Sequence, residues 1–258
     1  MKSEEIKFIR QSVYESLALY ETKYHMLGGK GYLNDHFLVD LPIYRNIIIA
    51  DQLKKALPEG AKVLDFGCGY GDMAYLLKNR RPDVEITGLE IITSEPWRVL
   101  TRKIGMEVVI ADDELHIPFA SESFDSVIAI GSLEHVRNEH VSLQEIHRIL
   151  RPGGDLHIFL YPNKYSYTEF VQRYIGHPSH KAKKILKELT SLVEGEGFII
   201  IEKKRQFLFP FVLSRFSPLA RELYNFFAKP LCILNQGLEQ VPLLNIFCNT
   251  LSIRARRI

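Results

Sequence analysis

Apolar residues recur along this chain with two periods. Short apolar runs near residues 62–66, 84–89, 107–110, 124–130, 154–160 and 197–204 read as buried strands. Between them, segments near 72–80, 95–104, 139–150 and 180–195 place apolar residues three and four apart, as amphipathic helices do. The alternation predicts right-handed βαβ units on a largely parallel sheet. In the 139–150 helix, Val141, Leu143, Ile146 and Leu150 form the apolar face, and Pro152-Gly153-Gly154 is read as its stop. Ser179 is read as the cap of the 180–195 helix and Gly195-Glu196-Gly197 as its end. Residues 250–256 alternate well enough to form a last strand. Ahead of the first strand, Ile6, Ile9, Val13, Leu17 and Tyr20 predict one helix and residues 43–57 a second, joined by a glycine-rich aromatic stretch, Tyr24–Tyr32.

The chemistry-bearing residues cluster where strands end. The first strand, with Val63, Leu64 and Phe66 buried, runs into Gly67-Cys68-Gly69-Tyr70-Gly71, and a helix is expected to start near Asp72. Asp65 precedes the first glycine by two residues, at the carboxyl end that faces the ligand crevice of an open α/β sheet. An anionic side chain there suits a cationic ligand group or hydroxyls better than a pyrophosphate, which favours a sulfonium- and ammonium-bearing cofactor over a nicotinamide one. A glycine triplet alone is weak, because tight turns also need glycine. The second strand, however, ends in Glu90, where a doubly wound fold places the acid that bonds ribose hydroxyls. The third ends in Asp112-Asp113, and the fourth runs into Gly131-Ser132-Leu133-Glu134-His135.

In order and spacing these segments, with Ile117-Pro118-Phe119, Ser123-Phe124-Asp125, Glu134-His135 and Leu150–Gly154, resemble class I S-adenosylmethionine-dependent methyltransferases over roughly residues 60–205. They look most like the small-molecule type with "LPF…SFD…EH…LRPGG" signatures. The resemblance implies a Rossmann-like α/β fold with a seven-stranded mixed sheet in the order 3-2-1-4-5-7-6. It implies a helical cap over 1–58, with a helix pair that merely shields the sheet as the alternative, and a methyltransferase domain over 59–258. Carried over, Asp65, Gly67 and Gly69 would form the turn around the methionine moiety, and Gly71 would let the next helix start close. Glu90 would hold the ribose, Asp112 or Asp113 the adenine amino group, and Gly131 and Ser132 would face the sulfonium. His135 is a candidate base, with a role confined to orienting the loop as the alternative. Tyr161, in Tyr161-Pro162-Asn163, is a candidate acceptor contact or else a buried structural tyrosine. Some quinone-pathway relatives hold a divalent metal with an acid three residues before the Glu-His pair; here that position is Gly131, so no metal is expected. His177 and His180 have ligand-like spacing but no third ligand in sequence, and a helix-entry turn is preferred.

Residues 206–249 are an apolar insertion where a short turn would have joined the last two strands. Leu219, Leu223, Phe226 and Phe227 make a helical stripe, with Lys203, Lys204, Arg205, Arg215, Arg221 and Lys229 interspersed. The stretch would pack on the core, wall an apolar acceptor pocket, or lie in a membrane interface. Net charge of +2 gives no electrostatic case for nucleic acid, and three scattered cysteines without a CxxC pair point to a reducing, cytoplasmic setting, open to peripheral contact with the inner membrane face. The expected activity is methyl transfer from S-adenosylmethionine to a small molecule or lipid-linked glycan, at oxygen. A quinone-like or other apolar acceptor and a non-catalytic cofactor-binding module are the alternatives. The oligomeric state is not legible.

Overall fold

The computed structural model describes residues 2–22, 37, 40–91, 94–112, 116–174, 180, 182–209, 223 and 225–258. Seven strands form one sheet: β1 (Lys62–Phe66), β2 (Glu85–Glu90), β3 (Glu107–Ile110), β4 (Phe124–Ile130), β5 (Leu150–Pro162), β6 (Phe198–Gln206) and β7 (Thr250–Arg257). Their order is 3-2-1-4-5-7-6, as expected from the sequence. β1 to β5 pair in parallel, and β7 runs antiparallel between β5 and β6. Chain order reverses direction across the sheet between β1 and β4. Their carboxyl ends therefore diverge into the crevice where open α/β sheets take ligands.

The helices are α1 (Lys2–Thr22), α2 (Asp40–Ala56), α3 (Asp72–Lys78), α4 (Val99–Lys103), α5 (Glu139–Ile149), α6 (Tyr167–Tyr174), α7 (Leu186–Gly195) and α8 (Ala228–Leu238). The central strands carry apolar residues on both faces, because helices cover both. One core joins Ile9 and Val13 of α1, Ile43 and Leu53 of α2 and Leu76 of α3 to Val63 and Ile128 of the sheet. The other joins Leu143 and Ile146 of α5 and Leu189 and Val193 of α7 to Leu64, Val127 and Leu156. The N-terminal helices thus share the core of the sheet. Polar links reinforce the union: Arg80, beyond α3, is buried against Glu5 of α1 at 2.7 Å and reaches Asp51 of α2 at 2.6 Å.

Three boundaries differ from the sequence reading. α5 ends at Ile149, and Leu150 already belongs to β5. Arg151–Gly154 bulge out of the ladder, since Leu150 faces Phe124 while Asp155 faces Ser126. Gly154 is required there by space: a Cβ would lie 2.9 Å from the carbonyl oxygens of Arg151 and Asp125. The 95–104 helix is split into a 3-10 turn (Glu95–Arg98) and α4, with Pro96 in the turn. The 180–195 helix, α7, starts at Leu186 with Ile185 as its N-cap residue, whose N–H donates to Glu188 at 2.9 Å. Ser179, expected as that cap, lies outside the described residues, as do Tyr24–Tyr32. Lys184 instead extends the end of β5, bridging to Asn163.

The insertion is anchored by buried amides. Asn163 Nδ2 donates to the carbonyls of Ile246 (2.8 Å) and Cys248 (2.7 Å). Asn235 Oδ1 accepts from the Leu208 N–H at 2.6 Å, and Asn249 Oδ1 accepts from Ser166 and Thr168 at 2.7 Å. α8 turns Ala228, Cys232 and Asn235 inward and leaves Ile233 and Leu234 exposed beside Phe226 and Phe227. The stripe read from the sequence is therefore exposed where it is described; Leu219 lies outside the described residues.

Candidate active site

The turn after β1 is held by the neighbouring strand. Gly67 and Cys68 donate their N–H groups to the Leu89 carbonyl of β2 at 2.9 and 3.0 Å. Gly67 has φ +69°, and a Cβ there would stand 2.6 Å from Cβ of Ser132, so only glycine lets the β1 and β4 loops close on each other. Gly71 likewise has φ +84°, with Thr101 at 2.5 Å from an added Cβ, which sets α3 against α4. Glu90 at the end of β2 is buried and accepts the Gly69 N–H on Oε2 at 2.8 Å. The strand-end acid and the glycine turn are thus in direct contact.

Asp65 forms the floor. It is 2% exposed, and its Oδ2 has no hydrogen-bond partner. Burial, then the nearby carboxylates of Asp72 and Glu90, push its pKa up to about 8. Asp72, the first residue of α3, is raised too by burial, opposed by the bond it accepts from Asn46 Nδ2 of α2 at 2.6 Å. Three acids around one glycine turn, one of them with an orphan oxygen, are a poor solvent for anions and a good one for an ammonium or sulfonium. The acidic donor set therefore fits the cationic and hydroxyl groups of S-adenosylmethionine. Asp112 follows Ala111, whose N–H bonds the Glu90 carbonyl, so it shares this edge of the sheet, with an exposed side chain. Asp113 lies outside the described residues.

On the opposite wall Gly131 (φ +62°) ends β4, and an added Cβ would lie 3.8 Å from Oε1 of Glu134. Glu134 is buried in the 3-10 turn Leu133–His135, and burial lifts its pKa to about 7. Ser132 Oγ is buried without a hydrogen-bond partner. His135 is largely exposed, 3.9 Å from Glu134, and its pKa is lowered by partial burial and by His180. Its ring lies 6.2 Å from that of His180, which bonds Glu169 of α6. The structure therefore brings Gly67 against Ser132, Gly69 against Glu90 and Gly131 near Glu134, with Asp65 beside Glu90 and with His135, largely exposed, next in the same turn.

Tyr161 takes the structural alternative. Its ring is fully buried, its hydroxyl donates to Glu139 at 2.5 Å, and Lys184 Nζ donates to that hydroxyl at 3.0 Å. Burial and the Glu139 carboxylate raise its pKa. Asn163, in the same motif, binds the insertion's backbone instead of facing the crevice. The pairing of Glu169 with His180 is the feature that sequence reading missed. The two are eleven residues apart with a connection of no regular period, and the only signal was an acid on a short apolar helix ahead of a histidine.

Residues 64–158 match the family profile described as a methyltransferase domain. A sarcosine/dimethylglycine N-methyltransferase of Aphanothece halophytica is 29% identical over 155 residues, covering 56% of each chain. An O-methyltransferase of Aspergillus nomiae is 31% identical over 154 residues, covering 55% of this chain and 66% of that protein. The chain thus spans less than two thirds of the curated relatives it matches. Among solved structures, a Haemonchus contortus phosphoethanolamine-type N-methyltransferase in complex with S-adenosylhomocysteine superposes with a TM-score of 0.61 at 17% identity, covering 93% of this chain and 59% of that one. Together, the profile match over residues 64–158 and the sheet order support a class I S-adenosylmethionine-dependent methyltransferase domain.

Proposed function

We propose that the protein transfers the methyl group of S-adenosylmethionine to an oxygen of a saccharide or a lipid-linked small molecule. The observation that carries the transferase reading is the single crevice in which the Asp65–Gly69 turn and Glu90 face the Gly131–His135 loop. The cofactor supplies an activated methyl on sulfur. The residues here contribute alignment, which accounts for much of the rate in such displacements. Asp65 orients the cationic end, Glu90 fixes the ribose, and the close approach of Gly67 to Ser132 sets the distance between the two loops.

The acceptor class draws support from what borders the crevice. α6 places Glu169 beside the histidines while exposing Phe170 and Tyr174 at 72% and 87%; α8, which packs on α2, exposes a separate apolar face. Aromatic surface next to a polar, titratable floor suits a hydroxylated head group with an apolar or ring-shaped body. A quinone-like acceptor would use the same apolar wall, and the exposed aliphatics of α8 favour it as the second reading.

Transfer of tritiated methyl from S-adenosylmethionine to separate pools of soluble sugars, lipid-linked saccharides and hydroquinones distinguishes these. Label in either saccharide pool supports the proposal, and label confined to hydroquinones replaces it with the second reading. Cofactor binding without label in any pool indicates a binding module.

A further inference from the structure

Glu169 is buried on α6, with 10% of its side chain exposed, and each carboxylate oxygen holds a different base. Oε1 lies 2.7 Å from Nδ1 of His180, and Oε2 accepts from Nζ of Lys183 at 2.8 Å. A carboxylate can only accept, so Nδ1 must carry the proton. The basic lone pair of the imidazole is then at Nε2. This arrangement of a buried carboxylate behind a histidine fixes both the tautomer and the ring orientation, which is what a proton-accepting histidine needs.

The pair adjoins the reacting end of the crevice. Gly131 ends β4 on the sulfonium side, Glu134 Oε1 lies 3.8 Å from the position of a Cβ on Gly131, and His180 acts electrostatically on both Glu134 and His135. The His135 and His180 ring centroids are 6.2 Å apart, with the rings tilted by 39°. His135, by contrast, has the Glu134 carboxyl only at 3.9 Å, beyond hydrogen-bond range, so its tautomer is not set by that neighbour. Among the described residues these side chains do not converge into a three-ligand metal site.

We propose that His180, positioned by Glu169, is the general base of this site, and that the acceptor is accordingly a hydroxyl that must lose its proton. The inference rests on the transferase reading above and narrows its acceptor. As the acceptor oxygen forms its bond to the methyl carbon, the carbon–sulfur bond breaks and its electron pair stays on sulfur. Nε2 takes the hydroxyl proton, which solvent later removes. The products are a methyl ether, S-adenosylhomocysteine and one proton. A neutral amine would need no such base, since its lone pair attacks directly. His180 is the catalytic group here, and Glu169 is a positioning residue.

The decisive experiment reads the tautomer and needs no acceptor. Nitrogen-15 spectra of histidine-labelled protein at pH 8, with His180 assigned from His180→Gln, should show His180 protonated at Nδ1. In Glu169→Ala the proton should move to Nε2, and Glu169→Asp should recover the wild-type pattern. An Nε2-protonated His180 in the wild type, or a tautomer unchanged in Glu169→Ala, overturns the proposal. In the transfer assay, His180→Gln should lose about 100-fold or more of the rate with S-adenosylhomocysteine affinity within twofold of wild type. Retention of more than about a tenth of the rate also overturns it. Failure of the wild type to bind S-adenosylhomocysteine would instead sink the transferase reading.

Discussion

Cofactor binding should release a proton, and the site of release should be Asp65. In the free protein this carboxyl is buried, faces the acids Asp72 and Glu90, and titrates near pH 8. An ammonium placed against its partnerless Oδ2 favours the ionised form and pulls the pKa down. If the bound form is ionised throughout, affinity follows the ionised fraction of the free protein. That fraction is about one half at pH 8 and about 1% at pH 6, so affinity for S-adenosylhomocysteine should rise about 50-fold between them, or about 2.3 kcal/mol. Titration calorimetry in buffers of different ionisation enthalpy should find close to one proton released at about pH 6.5 and about half a proton at pH 8. Asp65→Asn should bind weakly at every pH, with the slope gone. An affinity that stays within twofold from pH 6 to pH 8, with no proton released, would refute the reasoning. The same residue works against the empty fold. The folded acid keeps its proton up to about pH 8, whereas an unfolded aspartic acid ionises near 4, so stability of the ligand-free protein falls as pH rises between those values. Asp65→Asn should flatten that fall in urea unfolding.

Three further outcomes follow from the packing. Gly67→Ala combines a left-handed backbone, costing about 1–2 kcal/mol, with overpacking against Ser132, worth about 1–3 kcal/mol. Chemical denaturation should show Ser132→Gly recovering the second part in the double variant and not the first. Asn163→Ala leaves the carbonyls of Ile246 and Cys248 without their buried donor and should cost about 1–3 kcal/mol, with hydrogen exchange rising around residues 244–249 ahead of the core. Asp155 resists burial through its bonds from Arg256 and Arg254, which lower its pKa; its stabilising contribution is present above pH 4 and lost as pH falls below. Acid unfolding of Asp155→Asn should therefore show a shallower pH dependence than wild type.

What the sequence made legible was local. Val63-Leu64-Asp65-Phe66 announces a strand by its apolar run, and the three glycines after it can only be a turn at the strand's carboxyl end. Glu90 follows one βα unit later, and the order of the sheet came with the family resemblance that these segments carry. The periodic signal failed where structure depends on distant partners. Pro152-Gly153-Gly154 looks like a helix stop, but Gly154 is needed because the carbonyl of Asp125 in the adjacent strand crowds it, and Gly153 because its φ is +76°. Tyr161 looks like an edge residue, but Glu139 and Lys184 enclose it from two other segments. Asn163, Asn235 and Asn249 are unremarkable in sequence, and only the fold shows that they pin the insertion. The Glu169–His180 pair belongs to the same category, since nothing in an eleven-residue separation announces a hydrogen bond.

The central claim is that Asp65, the glycine turn and Glu90 form a cofactor site. Calorimetric titration of S-adenosylhomocysteine into wild type, Asp65→Ala and Glu90→Ala at pH 8 tests it most directly. The account predicts micromolar, one-to-one binding by the wild type, weakened at least about 100-fold in either variant while both remain folded by circular dichroism. Wild-type affinity in both folded variants, or no binding by folded wild type, would contradict it.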